Sequence, residues 1–147
     1  MRRVFEWLLV ILGSANAIFV VYAFAQFELS EDEAFSVLFL TPGLYFLEIL
    51  AISLLIIFSV WKNNDQWLQN LWAGIGALMG IVVLGMWTIG IPLLPTLIAF
   101  SIIGVSISTR TTLSLEDGIR KGLVFLTAQI VLMIAIIWLS SIGLIND

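Results

Sequence analysis

The sequence predicts an all-α integral membrane bundle of five transmembrane helices, and three observations carry that prediction. Hydrophobic residues make up 61% of the 147 positions and charged residues 11%, against about 45–50% and about 25% in soluble domains. The mean hydropathy is +1.14. Polar residues gather in short clusters that separate apolar stretches long enough to cross a hydrocarbon core of about 30 Å. The basic residues fall in alternate clusters, as the positive-inside rule requires. We read the chain as a single polytopic membrane domain, residues 1–147, with spans at about 4–25, 42–61, 67–89, 92–108 and 122–142.

The first span follows Met1-Arg2-Arg3 and runs from Val4 to Ala25. Ala23-Phe24-Ala25 has the form of a signal-peptide cleavage site, but the apolar stretch is long enough to span, which favours a retained helix. Gln26 to Thr41 carries Glu28, Glu31, Asp32 and Glu33, and Ser30 with Glu33 forms a capping-box pattern. Either a short interfacial helix or an ordinary connecting loop fits there. Thr41-Pro42-Gly43 restarts the chain, with Thr41 as N-cap and Pro42 at the first helical position of the second span.

Leu71 to Ser108 holds 38 consecutive residues without a charge. As one helix it would extend about 57 Å, nearly twice the hydrocarbon thickness, so it must fold back. Gly90-Ile91-Pro92, with Pro95 just beyond, marks the corner. Both prolines then fall in the first turn of the fourth helix, where amides have no intrahelical partner. A re-entrant hairpin is the alternative, and the length of the two arms favours full crossings. The last helix is expected to start near Leu115, capped by Ser114 with Asp117 and carrying Glu116–Arg120 and Asp117–Lys121 pairs, and to end near Gly143.

With five crossings, Arg2, Arg3, Lys62, Arg110, Arg120 and Lys121 all fall on one side, and the acidic stretch from Glu28 to Glu33 on the other. The amino terminus is therefore expected in the cytoplasm and the carboxyl terminus outside a cell membrane. Trp7, Trp61, Trp67 and Trp72 are expected at the inner interface, and Tyr22, Tyr45, Trp87 and Trp138 towards the outer one.

Composition also excludes chemistry. The chain has no cysteine and no histidine, which removes thiol nucleophiles, thiolate and imidazole metal sites and the commonest general base. There is no phosphate loop, no H-E-x-x-H and no nucleophile elbow. Six basic residues are too few for a nucleic-acid footprint. We expect no enzymatic activity, no cofactor and no nucleic-acid partner.

Glu48 is the sharpest candidate. Counted from Pro42 it lies about 9 Å inside the outer boundary, where a carboxylate costs at least about 2.5 kcal/mol unless it faces protein or water. Asn16 and Thr96 are its expected neighbours at similar depth, and a cation from a partner subunit or a bound proton or metal ion are the other outcomes. Glu6, by contrast, three residues past Arg3, is expected at the headgroup level, solvated or paired with an arginine. Asn16 and Gln129 read as interhelical hydrogen-bonding amides. Ala73, Gly76, Ala77 and Gly80 give the third span a small-residue packing face, with weaker versions at Gly13-Ser14 with Ala17 and at Ser101, Gly104 and Ser108. The functional expectation is a packing or assembly subunit of a larger membrane complex, in contact with lipid and with other subunits or copies of itself. A small homo-oligomeric channel or transporter using Glu48 is the alternative.

Overall fold

A computed structural model of the chain describes residues 2–29, 37–62, 64–109, 111 and 114–143. The elements are five α-helices and one π-helical turn: α1 Arg2–Leu29, α2 Val37–Lys62, α3 Asp65–Leu84, the π-turn Met86–Gly90, α4 Ile91–Ser108 and α5 Leu115–Gly143. Each α-helix is long and apolar enough to cross a membrane.

α3 is the hub. In its apolar window 61% of residues are buried, against 17% in α5, because α2, α4 and α5 all pack on it. Asn64 starts it by accepting a hydrogen bond from the Trp67 amide at 2.9 Å, an N-cap that satisfies one of the orphan donors. α1 lies on the far side of α4 and α2.

The hairpin between α3 and α4 turns earlier than glycine and proline spacing suggested. α3 stops at Leu84, and Gly85 and Gly90 bracket the π-turn. The Gly85 carbonyl accepts from Thr88 N at 2.9 Å and from Gly90 N at 2.6 Å. A side chain at Gly90 would overlap the Val82 carbonyl and the Gly85 backbone, so only glycine permits this closure. Ile91 opens α4, which puts Pro92 in the first turn and Pro95 inside the helix. Pro95 therefore deprives the Ile91 carbonyl of its amide.

α1 and α4 run antiparallel over a long stretch: Arg2 meets Ser106, Gly13 meets Thr96, and Asn16 meets Pro92. From Arg2 to Asn16 is about 21 Å of helix, so α4 travels most of the way along a spanning partner. α3 and α5 run parallel, Gln69 meeting Lys121, Gly76 meeting Gly122 and Gly80 meeting Gln129. These contacts gather Arg2, Arg3, Lys62, Arg120 and Lys121 at one end of the bundle.

Two expectations are corrected. α2 begins at Val37, so Thr41 is no cap and Pro42 lies within the helix; the apolar run from Val37 to Leu40 is continuous with the span. α1 continues to Leu29, and the rest of the acidic link, with Ser30 and Glu33, lies outside the described residues. Glu116–Arg120 and Asp117–Lys121 form no ion pairs, because Asp117 takes the Ser114 hydroxyl at 2.6 Å and Lys121 reaches Gln69 at 2.8 Å. Exposed pairs of that kind contribute little to oppose such alternatives.

Candidate functional site

Both α2 and α5 pack on α3 but touch each other only lightly, and Glu48 looks into the crevice between them. Because α2 starts at Val37, Glu48 lies about 16 Å along the helix from its start and about 21 Å from Lys62, nearer mid-membrane than a count from Pro42 gives. It is half-buried. Its neighbour is the Gln129 amide of α5, whose nitrogen nonetheless has no partner at hydrogen-bonding geometry. The two side chains approach without completing a bond. Gln129 is 6% exposed and gains its place from Gly80, where a Cβ would stand 2.9 Å from Gln129 Cβ and Cγ. Tyr45, one turn before Glu48, has a buried hydroxyl without a partner.

Asn16 and Thr96 stand elsewhere. Asn16 Nδ2 donates to Thr96 Oγ1 and to the Pro92 carbonyl, both at 2.9 Å, and Thr96 Oγ1 donates to the Gly13 carbonyl at 3.0 Å. Their hydrogen bonds join α1 to the turn that Pro95 loosens, which is how membrane helices tolerate an internal proline. Of the three residues expected together, only Glu48 belongs to the α2–α5 crevice.

The small-residue face is spent within the chain. A Cβ at Gly76 would overlap the Gly122 backbone, and one at Gly118 would overlap the Trp72 indole. Ala73 is buried and Ala77 partly so. The matching glycines of α5, Gly118 and Gly122, form a second G-x-x-x-G whose spacing is legible in the sequence. Trp72 is turned into the bundle: it is 6% exposed and its Nε1 donates to Ser108 Oγ, at the last residue of α4, at 3.1 Å.

Glu6 is paired with an arginine, as expected, but is buried instead of solvated. It is 3% exposed, accepts from Ser106 Oγ at 2.6 Å, and lies 4.0 Å from Arg2 Nε. Arg2 is its arginine partner, because one helical turn brings residues 2 and 6 to the same face. Arg2 also donates to the Ser106 carbonyl at 3.0 Å and to Thr109 Oγ1 at 2.6 Å, tying the start of α1 to the end of α4.

The chain matches no protein-family model, no curated protein and no solved structure. Its own side chains must carry the functional reading.

Among the described residues no three acidic side chains come close enough to share a metal ion. What the crevice offers is one carboxyl, an amide nitrogen without a partner and a phenol without a partner. Such a set can hydrogen-bond or neutralise a group that arrives laterally in the membrane.

Proposed function

We propose that the protein is a non-enzymatic membrane subunit that packs against other membrane proteins and assembles or stabilises a larger complex. The carrying observation is Glu48: a half-buried carboxyl at depth, beside an amide that does not complete a bond to it. No ion pair joins it to a cation among the described residues, whose basic side chains lie at one end of the bundle. A partner helix offering a cation or hydrogen-bond donor removes that penalty. The same cation segregation supports a cell-membrane orientation with the amino terminus cytoplasmic and the carboxyl terminus outside.

Co-purification from native membrane tests this reading, with wild type beside Glu48→Leu. Leucine takes a polar group out of hydrocarbon, so loss of a membrane partner in that variant reports the contact and not unfolding. A protein that is monomeric in mild detergent, with no crosslinked partner in native membrane, abandons the proposal.

A second reading has one observation in its favour. Gln129 Nε2 and the Tyr45 hydroxyl are buried without partners near Glu48, as the lining of a hydrated proton or cation path would be. In that reading the protein is a small homo-oligomeric channel or transporter. Reconstituted vesicles that show no flux, or a flux unchanged in Glu48→Gln, remove it.

A further inference from the structure

At the cation-rich end a recess of about 160 Å³ opens between the first turns of α1 and the last turn of α2, lined by Arg3, Glu6, Trp7, Val60 and Trp61. Its charge balance is unusual. Glu6 is occupied on the floor by Ser106 and by the Arg2 guanidinium. Arg3 is exposed and makes no hydrogen bond or ion pair with the described residues. Lys62 Nζ stands 6.0 Å from the Trp61 ring, which also stacks on Phe58 at 6.1 Å. Two cations without carboxylate partners therefore flank a pocket walled by two indoles, at the end of two spanning helices. Indoles favour the headgroup level of a bilayer, and basic pockets between membrane helices suit lipid phosphates.

We propose that this recess binds the phosphate of an anionic phospholipid in the leaflet at the amino-terminal end of α1. Arg3 donates to the phosphate and Lys62 adds a second positive charge. Trp7 and Trp61 frame the glycerol region, and the acyl chains continue along the apolar outer faces of α1 and α2. The assignment is independent of Glu48, which lies farther along α2.

Full-length protein in neutral-detergent micelles, titrated with brominated phosphatidylglycerol or brominated phosphatidylcholine and read by tryptophan quenching, tests it. Phosphatidylglycerol should bind more tightly. Arg3→Gln should weaken it about fivefold, the loss expected for one basic residue at a membrane surface, and leave phosphatidylcholine unchanged. Arg3→Lys, which keeps the charge, should retain most of the affinity. Arg120→Gln removes a charge at the same end of the bundle but outside the recess, and should change nothing. Wild-type affinity in Arg3→Gln, or an equal loss in Arg120→Gln, overturns the site. Inorganic phosphate that displaces the lipid at equal concentration overturns its assignment to lipid.

Discussion

Gly76 of α3 and Gly122 of α5 bring two backbones together with no side chain between them; a single methyl at Gly76 would overlap the Gly122 carbonyl. Membrane helices lack a hydrophobic drive for association, so close backbone packing of this kind supplies much of their cohesion. Gly76→Ala should destabilise the bundle by about 1–3 kcal/mol, the usual range for overpacking. Gly74→Ala should cost less, because its Cβ would meet only side-chain carbons, the nearest being Leu55 Cδ2 at 3.2 Å. Unfolding in mixed detergent micelles compares the two, and equal losses would remove the special role of the Gly76 contact.

The Asn16–Thr96 pair fastens α1 to α4. Thr96→Val removes the hydrogen bond accepted from Asn16 and the one donated to Gly13. We expect a loss of about 0.6–1.7 kcal/mol. Combined with Asn16→Leu, the effects should be less than additive because the two residues share a bond. Strict additivity in the cycle would show that the bond contributes nothing.

Ser108 serves the Trp72 indole. Ser108→Ala leaves a buried N–H without its acceptor and should destabilise by about 1–3 kcal/mol. In a Trp72→Phe background the same serine substitution should matter far less. If Ser108→Ala has the same effect in both backgrounds, the hydrogen bond is not the reason the serine is there.

Glu48→Leu should raise the unfolding midpoint of the isolated protein. Removing a carboxyl from the membrane interior relieves about 2.5 kcal/mol or more on the insertion scale, and leucine is a strong helix former. Should the midpoint fall instead, Glu48 is already satisfied within its own chain, and the argument for an outside partner loses its ground.

Orientation has its own test. A reporter active only outside the cytoplasm should be silent when fused after Asn64 and active when fused after Asp147. The reverse pattern would invert the bundle while leaving its packing intact.

Much of the architecture was legible in the residue order. The number of long helices followed from the lengths of the apolar runs, and the start of α5 followed from Ser114 and Asp117, whose side chains do bond. The turn of the long neutral tract was legible as a place but not as a geometry, since proline and glycine both interrupt helices and here Gly85 acts before Pro92. The start of α2 is not legible from Pro42, because the helix begins five positions before it at Val37 and the proline lies inside it. In the candidate site, Glu48 stood out by its charge in an apolar run. Gln129 was legible only as an amide, because nothing along α5 says which helix it will face.

The order of residues specified, by itself, five helices long and apolar enough to span a membrane and, among the described residues, cations gathered at one end. Transfer of apolar side chains into hydrocarbon is set segment by segment, and a segment's own composition is enough to specify it. Only the tertiary structure decided that Glu48 meets Gln129, that Asn16 and Thr96 mend the turn at Pro92, and that Glu6 is buried beneath Ser106. Lateral pairing of helices in lipid depends on which backbones can approach and which polar atoms they bring within reach, and those are properties of two surfaces at once.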